Sequence, residues 1–407
     1  MIETTKDARK DLPPGWRWVR LDALSSIVGG DGAPQEADAF AGGTIPFVRM
    51  KDVGRYRFTL DLQKTDDKLR SEVVTKRGIR IFPPGTILMP RSGSVYTNHR
   101  ARLGVHAAVV GHLAALLPND EVFDSAFVTY TLRMVDMRQW MTKTTGLDSI
   151  SLADLSNVQI PLPPLAEQRR IATVLNKQMS VVEQALAAVQ AQLDGAKALL
   201  TSYLRQVFPQ SGQKLPTGWR WVRLGEVCSF EGGMQPPKFM FKRDQLPGYI
   251  QLVQIQDFSR SDSAVFIPKS KANRTFDETD VMIGRYGPPV FQILRGLSGA
   301  YNVALMKTVP QECLSKDYLF HLLKEPRIQE RVVSESQRSA GQSGVQKEFL
   351  ENIEVALPPL SEQRNIAAEL NDRLAVAVNL RKALEEQLNE INALPAVLIR
   401  QALNGEL

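Results

Sequence analysis

The octapeptide LPPLAEQR at residues 162–169 returns, with one substitution, as LPPLSEQR at residues 357–364. A second pair of matching segments precedes it, LPPGWRWVRL at residues 12–21 and LPTGWRWVRL at residues 215–224. Two long matches in the same order indicate an internal duplication. Two copies are too few for a solenoid, which needs three or more, so we predict two tandem domains.

A long helix is predicted after each Pro-Pro pair. Proline suits the first turn of a helix, where its missing N–H would be unpaired anyway, and the glutamate that follows favours the helix dipole. In the first copy, apolar residues recur at two positions of each heptad over about five heptads, which is typical of a coiled coil rather than of a single surface helix. These residues are Leu175, Val182, Val189, Ala196 and Tyr203, with Met179, Leu186, Leu193, Leu200 and Val207.

The second helix repeats this pattern with two interruptions. Its apolar seam consists of Leu370, Leu374, Ala377, Leu384, Leu388, Ile391 and Leu398. Arg381 replaces one apolar position, and Pro395 occupies another, where we expect a kink or weaker last turns. Two such helices, each roughly 60 Å long, can pair antiparallel and place the globular parts at opposite ends, related by a pseudo-two-fold axis.

The globular part of each copy is predicted to be mixed α/β, which makes the fold class α+β. Short apolar runs bounded by turns predict strands at residues 44–48, 86–89, 281–283 and 301–306, and helices at residues 127–132 and 318–323. The predicted segments are a disordered tail (1–11), a first globular domain (12–162), a first long helix (163–208), a linker with the second globular domain (209–358) and a second long helix (359–407).

Composition narrows the classes of protein that the chain can belong to. Its 407 residues carry a net charge of +6, which permits a nucleic-acid partner without requiring one. The two cysteines, Cys228 and Cys313, are too few for a disulfide scaffold, so a reducing cytoplasm is the expected compartment. We also expect a soluble protein, because the first eleven residues lack a signal-peptide core and the longest apolar run is too short to span a bilayer.

Motifs of catalytic and cofactor sites are missing from the sequence. It holds no phosphate-binding GxxxxGK[ST] loop, no HExxH and no Cys/His spacing that suits zinc. It also lacks the Asn-Pro-Pro-aromatic and Asp-Pro-Pro-Tyr motifs of an amino-methyltransferase. We therefore predict a non-catalytic protein that binds no metal and no cofactor itself.

Two stretches without acidic residues occupy corresponding places in the two copies. One lies between Glu72 and Asp120, and the other lies between Asp280 and Glu312. A solvated basic face without a partner would explain one such stretch, but recurrence in both copies favours phosphate neutralisation and base contacts. The predicted DNA contacts are Arg91, Ser92, Ser94, Tyr96, Asn98, Arg100 and Arg102 in the first domain, and Arg285, Tyr286, Gln292, Arg295 and Asn302 in the second.

Polar runs before each long helix form a third candidate. They are residues 142–146, with Lys143, and residues 338–344, with Arg338 and Gln342. These runs could grip phosphates, and flexible turns that lead into the last strand of each domain would explain them equally well.

The chain resembles the specificity (S) subunits of type I restriction-modification enzymes. The LPxGWxWxxL openings, the two LPPL[AS]EQR helix starts and the ending Gly405-Glu406-Leu407 carry this resemblance, which spans about residues 12–407. The segment from Arg285 to Leu305 also resembles the target-recognition domains of that family.

The resemblance implies that each globular part is a target-recognition domain that reads one half of a bipartite site in double-stranded DNA. It implies that the paired helices set the spacing between the halves and dock two modification (methyltransferase) subunits. Those subunits would use S-adenosylmethionine to methylate adenine, and restriction (translocase-nuclease) subunits would join with ATP and Mg²⁺. The S subunit itself would catalyse nothing.

Two other interpretations remain open at this point. The chain could be a stand-alone nuclease or single-chain methyltransferase, although the missing motifs argue against it. It could also be an interaction protein whose coiled coil bridges two partners without nucleic acid, in which case the acid-free stretches would be incidental.

Overall fold

The computed structural model describes residues 12–56, 59–92, 95, 99–141, 149–260, 264–338 and 344–406. The tail predicted at residues 1–11 lies outside the described residues. The chain divides into two compact units: unit 1 comprises Met1–Ala191 with Glu385–Leu407, and unit 2 comprises Gln192–Leu384. These units are not the predicted segments, because each combines one globular domain with part of both long helices.

The domain of unit 1 is built from short strands and short helices. Its strands are β1 (Arg17–Arg20), β2 (Ile27–Gly29), β3 (Ile45–Val48), β4 (Asp61–Leu62), β5 (Asp67–Leu69), β6 (Ile81–Phe82), β7 (Ile87–Pro90), β8 (Ala101–Leu103), β9 (Ala107–Val109), β10 (Leu113–Leu116) and β11 (Gln159–Leu162). Its helices are α1 (Met50–Arg55), α2 (Ser71–Arg77), α3 (Ser125–Met134) and α4 (Leu152–Ser156). The strands form three sheets with the orders β2-β10-β7-β8-β4, β5-β3-β9-β6 and β1-β11.

The domain of unit 2 repeats this plan. Its strands are β12 (Arg220–Arg223), β13 (Cys228–Gly232), β14 (Tyr249–Val253), β15 (Phe266–Pro268), β16 (Thr275–Phe276), β17 (Met282–Gly284), β18 (Gln292–Leu294), β19 (Gly299–Tyr301), β20 (Leu305–Pro310) and β21 (Glu354–Leu357). Its helices are α6 (Leu224–Val227), α7 (Lys316–Leu323), α8 (Pro326–Arg338) and α9 (Lys347–Glu351). The sheet orders, β13-β20-β17-β18, β15-β14-β19-β16 and β12-β21, match those of unit 1 strand for strand, except that β4 has no counterpart among the described residues.

The duplication and the mixed α/β fold class predicted from the sequence are confirmed. Strands stand at three of the four predicted places, β3, β7 and β17, and both predicted short helices are present as α3 and α7. The single strand predicted at residues 301–306 is wrong. A turn splits it into β19 and β20, because the Asn302 side chain accepts a hydrogen bond from the backbone N–H of Ala304 at 3.1 Å.

Glycine allows a close approach of backbone segments at equivalent places in the two domains. A Cβ atom on Gly30 would lie 2.3 Å from the carbonyl oxygen of Val109, and one on Gly233 would lie 1.9 Å from that of Asn302. In each domain the glycine N–H donates to the first residue of the strand paired with β2 or β13, Leu113 or Leu305. No side chain fits at either crossing.

The two long helices are α5 (Leu165–Val207) and α10 (Leu360–Leu403), close to the predicted spans. The predicted heptad seam is the buried face: Val182, Val189, Leu193 and Ala196 of α5 are each at most 5% exposed, as is Leu384 of α10. Arg381 is exposed, and α10 continues as a helix through Pro395.

Within each unit the helix segments meet in the way that antiparallel pairing requires. In unit 2, Arg373 near the start of α10 lies 5.0 Å from the ring of Tyr203 near the end of α5, whereas Leu384 shares a groove with Gln192. In unit 1, Ile399 and Leu403 of the last turns of α10 pack into the same core as Leu175 of α5.

Candidate nucleic-acid interface

Arg91 and Arg285 occupy the same position in the two domains. Each follows the last residue of a strand, β7 or β17. The N–H of Arg91 donates to the carbonyl of His112 at 3.0 Å, and its carbonyl accepts from Ile150 at 2.8 Å. Arg285 donates to Ala304 at 2.8 Å and accepts from Val345 at 3.0 Å. In both domains one partner is the residue before β10 or β20, and the other lies shortly after the polar run, four residues after it for Ile150 and one for Val345.

Neither guanidinium takes part in an ion pair with the described residues. The Nε of Arg285 is buried without a hydrogen-bond partner, and its guanidinium lies 5.3 Å from the ring centre of Tyr286, which is 41% exposed. An arginine that no carboxylate neutralises retains its donors for a phosphate or for the O6 and N7 atoms of guanine.

Ser92, next to Arg91, makes a polar contact of its own. Its hydroxyl lies 2.7 Å from Nδ1 of His112, and it forms a backbone bridge with Ser149. The Arg91 side chain lies along Gly29, where an added Cβ would come within 3.2 Å of its Nη1. The backbone hydrogen bonds of Arg91 therefore fix the point from which its side chain extends. A guanidinium that makes a specific contact needs such a fixed starting point.

Arg100 lies inside the domain, which argues against the DNA contact predicted for it. Its side chain is 1% exposed and donates to the carbonyl of His99 at 2.7 Å. Burial, with the charge of Arg133 beside it, lowers the pKa of Arg100 to about 10. Arg133 in turn donates to the carbonyls of Arg100 and Tyr56. Both arginines donate hydrogen bonds to backbone carbonyls. Because Arg100 is buried, it cannot contact a base or a phosphate.

Arg102 is also engaged within the protein. It forms a two-pronged pair with Asp61, at 2.5 and 2.9 Å, and donates to the hydroxyl of Ser125 at 3.1 Å. Asp61 precedes the acid-free stretch in the sequence, so counting charges along the chain missed it. Because its guanidinium is paired with Asp61, Arg102 is not part of the candidate interface.

In the second domain, Arg295 stabilises the junction between α7 and α10. It pairs with Asp317 at 2.7 Å, lies 4.0 Å from the ring centre of Phe320 and donates to Asn371 of α10 at 3.3 Å. Asn302 closes the turn between β19 and β20, and Gln292 donates to the carbonyl of Pro289 at 3.1 Å. Arg285 and Tyr286 differ from these three residues: their side chains contact each other and form no ion pair with the described residues.

Several predicted contacts lie outside the described residues: Ser94, Tyr96, Asn98, Lys143 and Gln342. Arg338 is the last residue of α8. The two polar runs lie almost entirely outside the described residues as well, and their possible grip on phosphates stays a prediction.

Phe239 is a surface aromatic that the sequence analysis missed. It is 79% exposed, and Lys238, Lys242 and Arg243 surround it in the sequence. The segment is anchored by Phe241, which packs on a core cluster, and by a bridge from Lys242 to Phe266. The signal that could have found it is an aromatic residue between basic ones, a combination suited to stacking on bases.

Within the described ranges, no group of three or more His, Cys, Asp and Glu side chains could hold a metal ion. No helix among the described residues is long and apolar enough to cross a membrane.

Comparison with known proteins identifies the family to which the chain belongs. The model of the type I restriction modification DNA specificity domain matches twice, at residues 13–187 and 216–390. The MjaIX specificity subunit of Methanocaldococcus jannaschii is 23% identical over 257 residues, which cover 58% of this chain and 57% of that subunit. The MjaVIII specificity subunit of the same organism is 21% identical over 97% of this chain and 94% of its own length.

A solved structure concerning complex assembly and conformational transition of the type I R-M system contains a chain of the same fold. Its TM-score is 0.78 at 22% sequence identity, and the match covers 98% of this chain and 100% of that one. The family matches begin at the LPxGWxWxxL openings and run into each long helix, so they coincide with the duplication found in the sequence and in the sheets. The chain belongs to the type I restriction-modification specificity family and carries two of its DNA specificity domains.

Proposed function

We propose that this protein is the non-catalytic, cytoplasmic DNA-recognition subunit of a type I restriction-modification complex. Each domain reads one half of a bipartite site in double-stranded DNA, and the long helices hold the halves at a fixed spacing. Two modification subunits dock on it and carry S-adenosylmethionine, and restriction subunits that use ATP and Mg²⁺ join through the complex. The observation that carries this proposal is an arginine at the same backbone position of both domains, Arg91 and Arg285, that forms no ion pair with the residues the structure describes.

The two arginines make the proposal testable one half-site at a time. The chain is co-expressed with its modification subunit, and N6-methyladenine is mapped across the host genome by single-molecule sequencing. The intact complex should methylate a split motif with a fixed spacer. Arg91→Ala and Arg285→Ala should each relax specificity in a different half, at a cost of about 1–3 kcal/mol per base contact.

Matched controls are arginines whose guanidinium is already paired on the surface. Arg77 binds Glu36 at 2.7 Å in the first domain, and Arg274 binds Glu231 at 2.9 Å in the second. Their alanine variants should leave both half-sites unchanged. Loss of the same half-site in both test variants, or no loss, would refute the assignment of these arginines.

Binding of the purified complex to DNA separates this function from the two other classes. Retention that weakens with salt supports phosphate contacts, and loss of one such contact should lower the salt slope by about 1. Methyl transfer or metal-dependent cleavage by the chain without partners would instead indicate an enzyme. Absence of DNA retention by the complex at moderate salt would indicate an interaction protein.

A further inference from the structure

The glutamine of each LPPL[AS]EQR motif is buried, and both polar atoms of its side chain form hydrogen bonds. Gln168 is 1% exposed; its Oε1 accepts from the backbone N–H of Asp124 at 2.8 Å, and its Nε2 donates to the carbonyl of Pro163 at 2.8 Å. Asp124 is the N-cap of α3, so this one side chain connects the start of the long helix α5 to the start of α3.

Gln363 makes the same connection in the second domain. It is fully buried, accepts from the backbone N–H of Ser315 at 2.8 Å, and donates at 2.9 Å to the carbonyls of Pro358 and Cys313. Ser315 is the N-cap of α7. The agreement between two copies whose middle sequences diverge points to a geometric requirement.

A second polar contact joins the same helices two turns farther along. The side chain of Asn176 in α5 accepts from the hydroxyl of Tyr130 in α3 at 2.8 Å. In the second domain, Oδ1 of Asn371 in α10 lies 2.9 Å from Nε2 of His321 in α7 and also accepts from Arg295 at 3.3 Å. The donors differ in type but stand at the same distance from their N-caps, and each asparagine stands eight residues after its glutamine.

We propose that each glutamine–asparagine pair is a two-point clamp that fixes the direction of the recognition domain on the long helix. Eight helical residues separate the two points by about 12 Å, enough to fix an angle that one contact would leave free. The apolar contacts around them are non-directional and supply most of the burial energy. The four clamp residues are positioning residues. They act indirectly, by determining where Arg91 or Arg285 meets DNA.

This inference rests on the proposed function, and its test measures the spacing between half-sites. The co-expressed complex is assayed for adenine methylation of duplexes that carry both half-sites with the native spacer, or with one base pair more or fewer. Asn176→Leu removes the acceptor, whereas Asn176→Asp keeps an oxygen at the same place; Asn371→Leu and Asn371→Asp form the matching pair.

The leucine variants should lower the preference for the native spacer about fivefold, the factor that one net hydrogen bond supplies, and leave the bases read in each half unchanged. The aspartate variants should stay within about twofold of the unaltered complex. If a leucine variant fails to assemble, Tyr130→Phe removes only the hydroxyl donor and should show the same loss of preference.

Two results would overturn the clamp. One is an unchanged spacer preference in an assembled leucine or Tyr130→Phe variant; the other is an aspartate variant that behaves like its leucine partner. Failure of the unaltered complex to methylate any split site would overturn the proposed function instead. Amide exchange at Asp124 and Ser315 would then test the clamp, since Gln168→Leu and Gln363→Leu should accelerate it and unchanged exchange would refute it.

Discussion

The two recognition domains keep the same backbone positions and change the side chains that surround them. An arginine directly follows the strand β7 or β17 in both, and a glycine allows the same backbone crossing in both. The neighbours differ: Ser92 follows one arginine and Tyr286 the other. Tyr130 meets the helix asparagine in one domain and His321 meets it in the other.

The comparison shows which positions of the sequence the fold constrains. Residues that pair with the backbone or lie at a helix start recur, because any change there breaks buried hydrogen bonds. The side chains beside the two arginines, Ser92 and Tyr286, differ, since the backbone pairing at these positions does not depend on them. A recognition surface can therefore diverge between copies while its support stays the same.

The largest expected effect concerns the end of α10, whose last turns belong to unit 1. Replacing Ile399 and Leu403 by Ala should destabilise unit 1 by about 5 kcal/mol and leave unit 2 unaffected, because both side chains fill the core of the first domain. Hydrogen exchange measured separately on the peptides of each unit gives this comparison.

Leu394 and Val397 provide the control on the same helix, since they are 43% and 45% exposed. Their replacement by Ala should leave the exchange of both units unchanged. Equal destabilisation of both units by the Ile399 and Leu403 changes would contradict the division of α10 described here.

The next effect tests the backbone crossings that the two domains share. Gly30→Ala and Gly233→Ala should each cost about 3 kcal/mol, because the added Cβ meets a carbonyl oxygen that already accepts a backbone hydrogen bond and cannot move without breaking it. Thermal unfolding of the complex measures the loss. Gly32 and Gly232 have nothing within 4 Å of an added Cβ, so their alanine variants should unfold near the unaltered midpoint. A similar midpoint for all four variants would mean that the crossings are not tight.

The smallest expected effect is a pH dependence of stability that unit 2 has and unit 1 lacks. Burial, with the charges of Arg295 and Lys324 nearby, lowers the pKa of His321 from 6.5 to about 4, against a smaller raising contribution from its hydrogen bond to Asn371 and from Asp317. The unfolded chain therefore binds the proton first, so this stability is present above pH 6.5 and is lost as the pH falls towards 4. Between pH 6.5 and roughly 5, unit 2 should lose about 2 kcal/mol.

Unit 1 should not share this loss, because burial raises the pKa of the equivalent Tyr130 to about 12. Exchange of the α7 and α3 amides at several pH values checks both statements. His321→Gln keeps a donor that does not titrate and should abolish the dependence. An equal pH response of α3 and α7 would show that His321 is not its source.

The sequence predicted the duplication, the long helices and their seam, because these features depend on motifs and on a period that is visible along the chain. It also placed Arg91 and Arg285 in acid-free stretches that occupy corresponding places in the two copies.

What sequence reasoning could not give was pairing in space. Arg102 lies in an acid-free stretch and still meets Asp61, and Lys307 meets Asp280 at 2.6 Å across its own sheet. Arg100 is basic and buried, which composition does not predict. The clamp glutamines were visible as part of a repeated motif, but their partners, two backbone N–H groups, carry no sequence signal.

The division of α10 also has a consequence for biosynthesis. Unit 2 is one continuous segment, Gln192–Leu384, and all of it is translated before the last turns of α10. Unit 1 needs Ile399, Ala402 and Leu403 to complete its core, although most of that unit is translated first. The domain that emerges first is thus the last to be completed, and until then Ile171, Leu175 and Met179 lack these apolar partners. A released chain truncated before residue 399 would therefore contain all of the second unit and lack part of the core of the first.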